Sequence, residues 1–304
     1  MHPWLKLAIL LIACCPAYAG DCSSASIWLS AVDNTGIVTT LHEDSIKIKI
    51  GGESAELLNL SLDMHPRRIV LIVDTSGSMS ASPQDHRWGI GLLASGFASD
   101  SVPFNAAVML VRIGEKITQK SKDFQPRSEV QQEILSLKDQ APAGRTPLLD
   151  SIEKAASMFG VPQFGDAIYL VSDGGDNKST VTLSKLQPQL IERGIRVFSF
   201  SVRQPSAYEE QGPNPNLMKD LAEFTGGYFF EFPEYPSKQE QTEMPRLALR
   251  IAKQVQELYR VELGIPEPEL RNKHLKIALA NQANRRDVIK LAYPRLLRRC
   301  DFLP

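Results

Sequence analysis

The sequence has almost no excess charge: 34 Lys and Arg stand against 35 Asp and Glu, a formal net charge of −1. No bulk field therefore draws the chain toward nucleic acid or an anionic membrane. The basic residues are scattered, and the short cluster Arg295, Arg298 and Arg299 reads as a solvated terminus. Histidine is scarce, and its five positions (2, 42, 65, 86 and 274) are dispersed. With four cysteines in all, no Cys/His spacing suggests zinc. A GxxxxGK[ST] loop to cradle phosphate is missing, and Gly89-Ile90-Gly91 lacks the rest of a dinucleotide fingerprint. Long apolar runs are missing too, since no segment reaches the ~20 residues that span a bilayer.

What is present begins with an export pattern. Lys6 supplies a positive start, Leu7 to Cys15 form an apolar run, and Ala17-Tyr18-Ala19 is a small-x-small cleavage site. Residues 1–19 are therefore expected to be a signal peptide. The segment Leu11-Ile12-Ala13-Cys14 also resembles a lipobox, which would anchor the chain to the cell envelope through Cys14. The run's extension to Cys15 and the helix-breaking Pro16 favour cleavage after Ala19. The mature chain is expected to be secreted or periplasmic and to lack a transmembrane segment. Cys22 and Cys300 would remain at its two ends, either as a disulfide or as two separate thiols.

Hydrophobic residues make up 43% and charged residues 23%, ordinary for a globular protein. The middle of the chain alternates strand and helix patterns. Arg68–Val73, Ala106–Ile113, Ala167–Val171, Arg196–Val202 and Gly227–Phe232 are the expected strands, with Ile117–Phe124 as a polar edge strand. The first, second and third of these are apolar and rich in β-branched residues, as parallel strands buried on both faces are. Helices are expected at Trp88–Phe97, Ser128–Leu137, Pro147–Phe159, Leu183–Arg193, Leu217–Phe224 and Pro245–Leu258. Such alternation predicts an α/β, doubly wound, mostly parallel six-stranded sheet over residues 67–257, with helices on both faces.

The flanks have a different period. Asp33-Asn34-Thr35-Gly36 is a turn signal, and Ile46, Ile48 and Ile50 alternate with lysines before Gly51-Gly52. Near the other end, Tyr259, Val261, Leu263 and Ile265 alternate with Arg260, Glu262 and Gly264. Leu275, Ile277 and Leu279 do the same, and 288–293 is a further apolar stretch. Alternation of period two marks antiparallel strands with one wet face. Neither flank has enough strands for its own core. Residues 24–66 and 258–297 are therefore expected to pair into one small β-sandwich.

Chemistry gathers after two of the buried strands. Asp74-Thr75-Ser76-Gly77-Ser78 follows the first, and Asp173-Gly174-Gly175-Asp176-Asn177 follows Ala167–Val171. Open α/β sheets bind ligands beyond their carboxyl strand ends. Carboxylates and hydroxyls are the oxygen donors that a hard divalent cation takes, and Gly77 lets the first loop turn sharply. Two carboxylates would neutralise the ion while hydroxyls add no charge, so it would stay open to a carboxylate from a partner. Asp176 and Asn177 read as loop-shaping residues and His86 as a surface helix residue.

The run DTSGSMS resembles the DxSxS metal-ion-dependent adhesion site of von Willebrand factor A (vWA) domains, found also in integrin I domains. The resemblance covers roughly 67–257 and implies a Rossmann-like vWA fold. It also implies that Thr146, in Gly144-Arg145-Thr146-Pro147, and Asp173, in Ser172-Asp173-Gly174, complete a metal site with Asp74, Ser76 and Ser78. The ion implied is Mg²⁺, with Mn²⁺ or Ca²⁺ as alternatives. The flanks resemble, more loosely, a bacterial (acidobacterial-type) VWFA-related group. The function implied is an adhesion-type module, not an enzyme, that captures an Asp or Glu of a partner protein. A metal-assisted hydrolase and a scaffold with a structural ion are the alternatives. In the resembled family the last helix can shift, which makes Pro245–Leu258 the candidate moving element.

Overall fold

The computed structural model describes residues 23–33, 37–80, 86–103, 105–203, 216–267, 273–280 and 289–297. The expected signal peptide, Cys14, Cys22, Cys300 and most of the Asp33–Gly36 turn lie outside them. The amino-terminal flank supplies β1 (Ser24–Val32), β2 (Ile46–Ile50), β3 (Glu53–Ala55) and β4 (Leu57–Asp63). The central region then runs β5 (Arg68–Asp74), α1 (Arg87–Ser101), β6 (Ala107–Ile113), β7 (Thr118–Gln119), β8 (Gln125–Pro126), α2 (Arg127–Leu135) and α3 (Leu148–Met158). It continues through β9 (Ala167–Ser172), α4 (Leu183–Glu192), β10 (Arg196–Arg203), α5 (Leu217–Thr225), β11 (Phe229–Pro233) and α6 (Lys238–Gln256). The carboxyl flank adds β12 (Leu258–Gly264), β13 (Leu275–Leu279) and β14 (Lys290–Ala292).

The central sheet has the order β11-β10-β9-β5-β6-β7, with β8 also paired to β6. Strands β5, β6, β9, β10 and β11 are parallel, whereas β7 and β8 run antiparallel to β6. In β5, Ile69, Leu71 and Val73 face a core shared with α1, α2 and α6. Val70 and Ile72 face a second core with α3, α4 and α5. Both faces are covered, which is why the strand reads as an unbroken apolar run. From β5 the chain goes to β6 on one side and later enters β9 on the other, so the sheet's switch point lies between β5 and β9.

Two local expectations need correction. Ile117–Phe124 is not one edge strand: only Thr118–Gln119 pairs with β6, and β8 is a second, separate ribbon. Past Gln119 the Leu110 carbonyl accepts the Lys120 and Ser121 N–H groups, while the Leu110 N–H goes to the Ser121 hydroxyl at 2.8 Å instead of to a backbone carbonyl. The last helix begins not at Pro245 but at Lys238, behind a capping box in which Ser237 and Glu240 satisfy each other's backbone N–H groups. Pro245 lies inside the helix, and Leu258 belongs to β12.

The flanks pair across the sequence. One sheet has the order β14-β1-β12-β4 and the other β13-β2-β3. Ile27 sits opposite Val261 and Ile277 opposite Ile48 in antiparallel registers. Ala25, Ile27 and Leu29 share one core with Ile46, Ile48, Ile50 and Val261. The Tyr259 hydroxyl crosses this layer, accepting the Leu41 N–H at 3.0 Å and donating to the Thr39 carbonyl at 3.3 Å.

Two buried arginines join this layer to the α/β unit at the end of α6. Arg67 donates from Nη1 to Asp63 Oδ1 at 2.9 Å and from Nη2 to the Gln256 carbonyl at 2.9 Å. Arg196 donates to the Gln254 and Val255 carbonyls at 2.9 and 2.8 Å. These oxygens are among those a helix leaves unbonded, at the negative end of its dipole. Trp28, on the opposite face of β1 from the sandwich core, stacks toward Arg196, 5.8 Å from its guanidinium. It also crowds Gly226, which ends α5 at φ 75°; a Cβ there would lie 2.0 Å from the Trp28 ring.

Arg67→Met should lower the unfolding free energy by about 3–5 kcal/mol, because it strips a partner from buried Asp63 and uncaps α6. Urea unfolding measures this, and a loss under about 1 kcal/mol would contradict the assigned role.

Candidate metal centre

Asp74 is the last residue of β5, and Asp173 follows the last residue of β9, so the two flank the switch point. Three loops are tied together there. Thr75 donates both its N–H and its hydroxyl to the Ile113 carbonyl at 2.7 Å, fixing the first loop to the end of β6. The Thr75 carbonyl accepts the Ala143 N–H at 2.9 Å, and the Gly77 N–H donates to the Gly144 carbonyl at 2.9 Å. Gly144 has φ 86°, and a Cβ on it would stand 2.6–2.9 Å from Glu115, so this stitch requires glycine. Two residues on, the Thr146 N–H donates to Asn177 Oδ1 at 2.9 Å, and the Asn177 N–H donates to the Thr146 carbonyl at 3.2 Å.

Within this frame four of the five expected residues are directly connected. The Ser76 N–H donates to Asp74 Oδ1 at 2.8 Å, and the Ser76 and Ser78 hydroxyls are 3.0 Å apart. Ser78 donates to Asp173. Thr146, buried on the adjoining loop, is joined to the Asp173 loop through Asn177. Asp74 is fully buried and Asp173 is 5% exposed. Asp176 accepts the Ser179 N–H at 3.1 Å, a loop-shaping role, and exposed His86 packs edge-on against Tyr235.

Three contributors were not singled out from the sequence. Ser172 donates to Asp74 Oδ2 at 2.5 Å and accepts the Gly174 N–H at 3.0 Å, orienting the first carboxylate. Its position just before Asp173 is a usable signal, because the last inward residue of β9 must face the end of β5. Arg87 reaches Asp173 Oδ2 from Nη1 at 3.4 Å, and its Nε lies 3.9 Å from Glu234 Oε1. Nothing in the sequence around Arg87 and Glu234 marks either as buried.

The two carboxylates are buried side by side. Burial, reinforced by the charge of Asp173, pushes the Asp74 carboxyl up to about 7. Burial also raises Asp173, against hydrogen bonds from Ser78 and the Gly175 N–H and the nearby charge of Arg87. Two adjoining carboxylates taken out of water hold their charges poorly unless positive charge joins them. Oxygen donors from carboxylates and hydroxyls fit a hard divalent ion. Among the described residues no cluster of three or more His, Cys, Asp or Glu is placed to hold a metal, so hydroxyls would have to complete the coordination.

No protein-family model matches the chain, and no curated protein matches it. Solved vWA proteins are among the structures similar to it. One is a von Willebrand factor type A protein from Catenulispora acidiphila, 11% identical over 90% of this chain and 75% of that one, with a TM-score of 0.48. Also similar is the conserved hypothetical protein BatB from Bacteroides thetaiotaomicron, 15% identical over 62% of this chain and 98% of that one, TM-score 0.46. A third is proximal thread matrix protein 1 from the mussel byssus with a zinc-occupied MIDAS motif, 14% identical, TM-score 0.49. That match covers 67% of this chain, which spans half the length of the mussel protein.

A carboxyl raised in the folded state binds its proton more tightly there than in the unfolded chain. Without metal, folding stability should therefore fall as pH rises from the ordinary 3.8 of Asp74 toward 7, then level off. Melting curves in chelator should show this fall, and Asp74→Asn, which mimics the protonated form, should flatten it. Superimposable pH profiles for the two proteins would refute the shift.

Proposed function

We propose that this chain is a vWA-type binding module that holds one divalent cation through Asp74, Ser76, Ser78, Thr146 and Asp173. The ion then captures an Asp or Glu side chain of a partner protein. The observation that carries this reading is the hydrogen-bonded group Asp74, Ser76, Ser78 and Asp173 at the switch point, with both carboxylates buried. Mg²⁺ suits the oxygen donors best, and Mn²⁺ or Ca²⁺ could substitute. An ion held by neutral hydroxyls and two carboxylates keeps affinity for a further anionic oxygen, and that is the chemistry it would supply. The protein's part is to fix the donors, through Ser172 on Asp74 and Asn177 on the Thr146 loop.

Hydrolysis would need a general base beside the ion. Asp176 is engaged with the Ser179 backbone, and His86 points to solvent beside Tyr235, so neither geometry favours it. The export pattern adds a location: a secreted or periplasmic protein, or one anchored through Cys14. No helix among the described residues is long and apolar enough to cross a membrane.

Calorimetry should detect one Mg²⁺ or Mn²⁺ site in the full chain. Asp74→Ala should abolish it, and Thr146→Ala should weaken it about tenfold, roughly 1.4 kcal/mol. Immobilised peptides bearing Asp or Glu should retain the protein with Mg²⁺ and release it with chelator, whereas Asn and Gln versions should not bind. Capture that survives both chelator and Asp74→Ala would remove the basis for this function.

A further inference from the structure

The cation reading above leaves one buried charge unexplained. Arg87 opens α1 and is 1% exposed, a costly place for a guanidinium unless it meets negative charge. It meets that charge on two sides. Nη1 lies 3.4 Å from Asp173 Oδ2, and Nε lies 3.9 Å from Glu234 Oε1. Glu234 is 4% exposed and sits between β11 and α6. Both separations exceed the ~2.7–2.9 Å of a tight charged hydrogen bond.

Charge counting gives this arrangement a meaning. With every carboxyl ionised, the formal charges of Asp74, Asp173, Glu234 and Arg87 sum to −2. A divalent ion closes that balance and a monovalent ion does not. If Arg87 stood there without Glu234, the ion would enter beside a full positive charge with only two carboxylates to hold both. Glu234 thus offsets Arg87 and leaves Asp74 and Asp173 to the cation.

We propose that Arg87 is a built-in competitor for Asp173, held back by Glu234, and that this pair sets the affinity and charge preference of the metal site. Arg87 is a positioning residue here: it acts on the ion through Asp173. When the ion engages Asp173, the guanidinium shifts its share of the interaction to Glu234, which must be charged to receive it. The inference rests on the proposed cation site but is separable from it.

The test is calorimetric titration of the full chain with Mn²⁺ alone, comparing wild type, Glu234→Gln, Arg87→Met and the double variant. Glu234→Gln should weaken Mn²⁺ binding at least tenfold, because the positive charge then bears on Asp173 unopposed. Arg87→Met should tighten it by a similar factor, and the double variant, which keeps the total charge, should return within a few-fold of wild type. Arg87→Lys, which retains the charge, should also stay near wild type. A purely structural role would weaken binding in both single variants, so the opposite signs are the signature. Shifts of the same sign, or none beyond twofold, would overturn the proposal. Melting in chelator checks folding; if Arg87→Met fails to fold, Glu234→Gln decides alone, and unchanged affinity in it overturns the proposal. A wild type that binds no Mn²⁺ would overturn the cation reading as well. Binding lost only in Asp74→Ala would overturn this inference and leave that reading standing.

Discussion

Two buried guanidiniums at one helix end hold the molecule's layers together. Arg67 and Arg196 precede or open strands of the central sheet, yet both donate to the final carbonyls of α6. Those carbonyls face no helical partner, and burying them unpaired would cost several kcal/mol. Neutral donors could satisfy the hydrogen bonds, but a positive charge also complements the helix dipole. The arrangement keeps two like charges near each other, and burial together with the neighbouring Arg67 charge holds Arg196 well below its ordinary value. Asp63, at the end of β4, relieves part of that by accepting from Arg67 and Arg260. The carboxylate comes from the flanking sheet, so the β-layer and the α/β unit are electrostatically incomplete without each other.

The candidate metal centre lies at the opposite, carboxyl end of the same sheet and poses the mirror problem. There the buried excess is negative, contributed by Asp74 at the end of β5 and Asp173 just after β9. The fold handles its two poles differently. At the α6 end Arg67 and Arg196 meet helix-end carbonyls, and Arg67 also meets the Asp63 carboxylate. At the β5–β9 switch point a single guanidinium meets more carboxylates than it can balance. Burial of carboxylates there favours a bound proton or cation.

Much of this was legible in the sequence where one physical rule dominated. Buried parallel strands had to be apolar on both faces, so Arg68–Val73 and Ala167–Val171 stood out. Alternating residues such as Ile46, Ile48 and Ile50 betrayed a one-sided sheet. Asp74, Ser76, Ser78 and Asp173 were legible because polar residues directly after a buried strand have few reasons to be there. The less legible parts depended on distant partners. Pro245 looked like a helix start because its own backbone rules are local, whereas the true start is set by Ser237 and Glu240. Ser121 broke an edge strand by bonding a residue on β6. Arg87 and Glu234 lie far apart in sequence, and only the packing of α1 against the β11–α6 segment buries them together.

The pinned end of α6 constrains how any signal could leave the metal site. A shift of that helix was the expectation drawn from the resembled family. Sliding α6 along its axis would break the Arg67 and Arg196 bonds at Gln254, Val255 and Gln256. It would also break those from the Gln256 side-chain amide to the Met64 and His65 carbonyls. The arginine bonds are buried, so each one broken would leave a polar group without water to replace it. The amino-terminal end is held differently, by an exposed Ser237–Glu240 box that solvent can substitute for. Glu234 lies just before that box and faces Arg87, which faces Asp173. Any movement of α6 would therefore be easier in its first turns than at its carboxyl end, and Arg87 and Glu234 lie between the site and those turns.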